Sequence, residues 1–236
     1  MAKQKGKKIV LILNSGTPCN VSDMINDIDA MLWVYFPGQE GGRAAAHILF
    51  GDINPSGKLP LTFPKRYQDS PSFCNFPGEG NDVWYGEGIF VGYRWYDKRE
   101  IEPLFPFGYG LTYGEAAVES ACAKWEGSGA TVSAVLCNTG NVKICEVLQV
   151  YMKCEDHEKA VPNPQLCGFQ RVELLPGEKK TVTISIPERS FTVVDDNGCR
   201  FIGGEKFSLY VGLSQPDERS IELTGKQPVK IDLCKA

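Results

Sequence analysis

An α/β portion followed by an all-β sandwich is the fold class this sequence predicts, and three observations carry it. Two short apolar runs, residues 9–13 and 31–36, read as strands buried on both faces, the pattern of a parallel sheet covered by helices. Between them and Pro64, the glycines Gly38, Gly41 and Gly42 turn the chain tightly into a run of helix formers, 43–50, that stops at Gly51. From about Ala116 the texture changes to short alternating runs separated by turn residues, as in a β-sandwich.

Taken in order, KKIVLILNSGTP (7–18) is a strand that breaks at Asn14, Ser15 and Gly16. The loop there leaves the carboxyl end of the strand, the edge at which open α/β sheets bind ligands. Asn20 or Ser22 is placed to cap a short helix running to about Ala30, and 31–36 forms the next strand. In PGQEGGRAAAHILFGDINPSGKLPLTFP (37–64) a helix and a further strand follow, with Glu40 near the helix N-terminus, where the macrodipole favours a carboxylate. Residues 1–66 thus hold about three strands and two helices, whereas a doubly wound sheet needs about five strands. The expectation is the C-terminal portion of an α/β sandwich domain whose earlier strands lie in a longer protein or a partner chain.

Residues 67–115 are rich in Pro, Gly and aromatics, which argues against disorder and for a long ordered loop and linker. Its rings, Trp84, Tyr85, Tyr93, Trp95 and Tyr96, are available for burial or for stacking on a ligand such as a sugar. For 116–236 we expect strands at 119–125, 130–137, 146–153, 167–175, 179–186, 191–194, 206–213 and 220–223. NTGN (138–141), Pro176-Gly177, Asn197-Gly198 and Gly203-Gly204 punctuate them. This is an immunoglobulin-like sandwich without the Cys and Trp arrangement of antibody domains, so the fibronectin type III-like variant is expected.

Composition narrows the function classes. A net charge of -4 over 236 residues favours neither nucleic acid nor an anionic membrane. No apolar run reaches membrane-spanning length, and 9–13 is too short for a signal h-region, so a cytoplasmic chain is expected. The nine cysteines are odd in number and contain no C-x-x-C pair, so neither a disulfide framework nor a zinc site is indicated. Most of them read as small apolar core residues in a reducing compartment. With only His47 and His157, a histidine metal cage is not expected, and no cofactor is implied.

The joint at 37–64, YGEGIFVGYRWYD (85–97) and EPLFPFGYGLTY (102–113) resemble the C-terminal part of family 3 glycoside hydrolases, bacterial β-glucosidases above all. LQVYM (148–152), GFQRVELLPGEKKTVTISI (168–186) and FSLYVGLS (207–214) are similar to the fibronectin type III-like domain that ends many of those enzymes. The resemblance implies hydrolysis of terminal β-D-glucosyl residues by a pair of carboxyl groups roughly 5–5.5 Å apart. In the family the nucleophile is an aspartate on an N-terminal barrel of about 250 residues. The acid/base is a glutamate in an E-G-x-D-R-like segment, and neither segment is present here. EGND (79–82) is not that segment, since Val83 stands where arginine is expected. No catalytic residue is therefore assigned. The resemblance leaves Glu40, Trp84, Tyr85, Glu87 and Arg94 as residues on the substrate side, with Arg94 able to pair with either carboxylate. The partners implied are a β-glucoside or oligosaccharide and a barrel half in cis or trans. Self-association through the edge strand 9–13 is also expected. The alternative is a non-catalytic carbohydrate-binding or scaffolding module.

Overall fold

Residues 3–235 are described by a computed structural model, so Met1, Ala2 and Ala236, at the ends of the expected 1–66 and 116–236 segments, lie outside the described residues. Contacts group the chain into two units. One contains the residues up to 53 together with 62–105, and the other contains 54–61 together with the residues from 106 onward.

In the first unit β1 (Val10–Leu13) lies parallel to β2 (Ala30–Trp33), Val10 opposite Ala30 and Leu13 opposite Trp33. The helix expected to run from residue 20 or 22 to about Ala30 is instead a set of turns with one 3-10 turn, Ile25–Asp27. The reason is its content of Asn, Ser and Asp, whose side chains compete for backbone groups. Asn20 accepts the Ser22 amide at 3.2 Å, and the Asp29 carboxylate accepts the Ile9 amide at 2.8 Å. That amide and Lys8 hold the Asp29 carboxyl below its usual range.

β1 was expected to be covered on both faces, yet Val10 and Ile12 are 46% and 43% exposed. Two parallel strands with a single following helix, α1 (Gly41–Leu49), cannot cover both faces of a sheet. Gly41 is required at the start of α1, because a Cβ there would lie 2.4 Å from the Pro37 ring. The strand expected before Pro64 is reduced to one bridge, Phe63 to Phe105. Phe63 is fully buried and meets Trp33 edge-on at 5.3 Å.

Within the segment expected to be loop throughout, Tyr93–Arg99 forms a helix, α2, that buries Tyr96. The Trp95 indole donates to the Asp69 carbonyl at 3.1 Å and is covered by the Arg99 guanidinium, 5.0 Å from the ring centroid. Seven residues with three aromatics carry little helical signal, and tertiary packing decides the matter.

The second unit is a sandwich. β3 (Ala116–Glu126), β4 (Gly129–Asn138) and β7 (Lys179–Ile186) form one sheet, in the order β3-β4-β7. The other has the order β11-β10-β5-β6, from β5 (Ile144–Cys154), β6 (Gln165–Leu174), β10 (Lys206–Gly212) and β11 (Val229–Cys234). β8 (Thr192–Val194) and β9 (Arg200–Ile202) make a separate hairpin. Leu136, Leu148, Val150, Leu174, Leu209 and Val211 fill the space between the sheets with essentially no exposure.

Residues 220–223, expected as a strand, belong to a helix, α3 (Glu218–Thr224). Asp217 caps it by accepting the Ser220 amide and hydroxyl at 2.8 and 2.7 Å, and Gly225, at φ 68°, ends it. The last sheet position is taken by β11, which lies beyond the last expected strand. The cysteines also differ from expectation. All nine are free, but only Cys137 is buried, and Cys74, Cys122, Cys199 and Cys234 are exposed. Cys122 and Cys234 occupy outward positions of alternating strands, so strand membership does not make them core residues.

Residues 54–61 are fastened to the sandwich. Asn54 Oδ1 accepts the Thr112 hydroxyl and the Tyr113 amide at 2.7 and 2.8 Å, while its Nδ2 donates to the Lys143 carbonyl. The Leu59 amide donates to Tyr109, and the Gly108 amide to Leu59, both at 2.8 Å. Lys58 Nζ lies 2.7 Å from Glu146 Oε1 and donates to the Gly110 carbonyl at 2.8 Å. The NPSGKLP and GYGLTY motifs are thus complementary halves of one joint.

Candidate functional site

The carboxyl ends of β1 and β2 bring together Ser15, Trp33 and Tyr35. The Trp33 indole donates to the Ser15 carbonyl at 2.7 Å, and Tyr35 stacks on Trp33 at 4.0 Å. Tyr35 adopts φ 53°, an uncommon backbone for a bulky residue, of the kind that clusters at ligand-binding edges. Burial pushes its phenol above the ordinary value, and among the described residues its buried hydroxyl has no hydrogen-bond partner.

Glu40 sits at the N-cap position of α1 but makes no side-chain capping bond, facing Arg43 at 3.8 Å instead. Its carboxylate is open to solvent. Trp84 and Tyr85 lie in the loop just before a turn at 86–89 and are 75% and 83% exposed. Glu87 is half-buried, on that turn, with its carbonyl accepting the Phe90 amide at 3.0 Å. Arg94, in α2, donates from Nε to the Val91 carbonyl at 3.2 Å and lies 5.8 Å from the Tyr93 ring centroid.

Trp84, Tyr85 and Glu87 therefore share one short stretch of loop, while Glu40 and Arg94 stand on separate helices. Among the described residues no hydrogen bond or ion pair joins any two of the five, and Arg94 pairs with neither Glu40 nor Glu87. EGND closes on itself as a tight turn, with reciprocal Glu79 and Asp82 backbone bonds of 3.0 and 3.1 Å. The set offers flat aromatic faces and scattered polar groups. Among the described residues no group of His, Cys, Asp and Glu is disposed to hold a metal ion.

Sequence reasoning missed Asp69, the buried carboxylate of this unit. It binds Arg66 at 2.7 Å and accepts the Arg66 amide at 3.1 Å, closing a 3-10 turn at Tyr67–Asp69. Burial, with the charge of Asp69 second, pushes the Tyr96 phenol up to about 12. An acid three residues after an arginine, just before Ser-Pro, was the available signal. The Asp69 carbonyl braces α2 by accepting the Trp95 indole N–H.

Comparison with known proteins agrees with this architecture. Residues 1–113 match the glycosyl hydrolase family 3 C-terminal domain, and residues 146–215 match a fibronectin type III-like domain. Thermostable beta-glucosidase B of Acetivibrio thermocellus is 42% identical over 188 residues, covering 78% of this chain and 25% of that protein. An exo-alpha-(1->6)-L-arabinopyranosidase of Bifidobacterium breve is 39% identical over 214 residues, 89% of this chain and 28% of that protein. Among solved structures, beta-glucosidase 3B from Thermotoga neapolitana, in complex with alpha-D-glucose, superposes with TM-score 0.85 at 36% identity, over 99% of this chain and 32% of that one. The GH3 beta-glucosidase of Bifidobacterium adolescentis gives TM-score 0.85 at 33% identity, over 95% and 33%. The chain spans about a quarter of the length of the curated relatives it matches. On fold, motifs and these matches, the chain belongs to glycosyl hydrolase family 3, of which it carries the C-terminal domain followed by a fibronectin type III-like domain.

Proposed function

We propose that this chain is the supporting part of a β-glucosidase-like glycoside hydrolase that releases terminal β-D-glucosyl residues, and that it does not hydrolyse glucosides alone. One observation carries the reading: a protein named as a beta-glucosidase aligns with 78% of this chain while the chain accounts for only 25% of that protein. Glycoside hydrolysis needs two carboxyl groups facing one glycosidic bond. Glu40 and Glu87, on a helix start and a separate turn, are not tied into such a pair. The arabinopyranosidase relative shows that the sugar varies among similar chains, so the glucosyl preference is part of the proposal. A reducing cytoplasmic setting belongs to it as well, supported by nine free thiols.

The test is turnover of an aryl β-glucoside by the purified chain, alone and mixed with a separately produced barrel half of a family member. No turnover alone and restored turnover on mixing are expected. Turnover by the chain alone would overturn the proposal.

The exposure of Trp84 and Tyr85 favours a second reading, a non-catalytic carbohydrate-binding module. Cellobiose titration followed by tryptophan fluorescence separates the two: a binder saturates, whereas an incomplete cleft gives only a weak response, because most sugar contacts are missing.

A further inference from the structure

The sandwich unit contains a cavity of about 320 Å³, within the size range of small-molecule sites. The Lys58–Glu146 pair lines it, with only 5% of the Glu146 side chain exposed. The Lys58 ammonium is engaged by Glu146 Oε1 and by the Gly110 carbonyl. Oε1 accepts the Val147 amide as well, at 2.8 Å. No described residue hydrogen-bonds Oε2, and this oxygen is not sealed from solvent, so it is open to a donor from elsewhere. The walls combine apolar surface from Leu213, Leu223 and Pro228 with polar groups from Ser214 and Gln227.

Charge decides the ligand class. Glu146 disfavours an anion, while Lys58 and the nearby Lys226 disfavour a cation. A neutral molecule with several hydroxyl donors satisfies Oε2 and lays its C–H surface on the apolar wall. We infer that this cavity binds a small neutral polyhydroxylated molecule of monosaccharide class, in the sandwich itself. None of Glu40, Trp84, Tyr85, Glu87 and Arg94 lines the cavity, so its occupancy is independent of the glycosidase reading.

The test is a nitrogen-15 NMR titration of the full chain with D-glucose and with myo-inositol, with glucuronate and inorganic phosphate as charged comparisons. Saturable shifts are expected at the amides of Gly110, Gly114, Ser214 and Gln227 with the neutral probes. The charged ones should leave these amides unmoved. Leu223→Trp fills the cavity from α3 and should weaken glucose binding by about tenfold or more with the other sandwich resonances in place. Glu146→Gln replaces one acceptor oxygen by a donor and should weaken it similarly; if that variant unfolds, Leu223→Trp still decides. Shifts confined to Trp84 and Tyr85, a stronger response to glucuronate or phosphate, unchanged affinity in Leu223→Trp, or no shift at the cavity amides would each overturn the inference.

Discussion

Gly110 shows how one absent Cβ governs a joint. A methyl group there would sit 2.2 Å from the Gly57 carbonyl oxygen, closer than any real contact, and 3.2 Å from the Lys58 side chain. Gly57 itself meets nothing within 4 Å. Gly110→Ala is therefore expected to destabilise the chain by about 1–3 kcal/mol, whereas Gly57→Ala should be close to neutral, as urea unfolding of the two variants would show. The neighbouring ion pair behaves differently. Lys58→Met leaves Glu146 buried without its partner and should cost about 3–5 kcal/mol, with much of the loss recovered in Lys58→Met/Glu146→Leu. The motifs containing these residues were conspicuous in the sequence, but the reason was not. A Gly, a Lys and a distant Glu announce neither a backbone approach nor an ion pair until the fold brings residues 58, 110 and 146 together. The five residues proposed for the substrate side were readable only through family motifs. The Trp84 and Tyr85 side chains are largely exposed, so local chemistry alone could not have assigned them a role.

At the scale of elements, β7 was legible because strict alternation sets inward Val and Ile against outward polar residues, while β4 and β5 were legible as strand-length runs rich in β-branched and apolar residues. α3 was not, because four residues of mixed pattern fit either period and the deciding feature is the cap. Asp217→Ala should cost about 1 kcal/mol in thermal unfolding. Burial raises the Asp217 carboxyl above its usual value, outweighing the opposing bonds to Ser220. Its folded pKa is then above its unfolded one, so its contribution is fully present below the unfolded pKa and is lost as pH rises through the folded pKa. Asp217→Asn retains a capping side chain without titrating. The stability difference between wild type and Asp217→Asn should shift against wild type as pH rises from the ordinary aspartate pKa of about 3.9. A difference that stays flat with pH would refute this. β11 could have been found, since VKIDLC alternates throughout; α2 could not, since its helical state depends on packing around Tyr96 and Asp69.

For the whole molecule, the exposed outer side of β1 is the feature with the largest consequence in solution. Val10 and Ile12 on a two-stranded parallel sheet leave an apolar edge open to another strand. Concentration-dependent self-association is expected in sedimentation velocity, and Ile12→Lys should reduce it. A monomer at every concentration would count against that edge as the cause. The α/β-then-sandwich order was legible because the two textures differ in hydrophobic period. The shortfall of strands was legible by counting. Which residues belong to which unit was not, since 54–61 read as part of the first texture and are bonded into the second.

That assignment bears on inheritance and cutting. The chain passes from one unit to the other after Ile53, back after Leu61, and over again after Phe105. No single break in the polypeptide separates the units, and a gene fragment starting at 116 would encode a sandwich lacking Lys58, the partner of Glu146, and Asn54, which bonds the Lys143 carbonyl. A nick introduced between Glu115 and Ala116 should yield two pieces that co-migrate on a sizing column and part only in denaturant. Three crossings of the polypeptide, not one, join the two units, so no single-segment gene fragment carries either of them whole and alone.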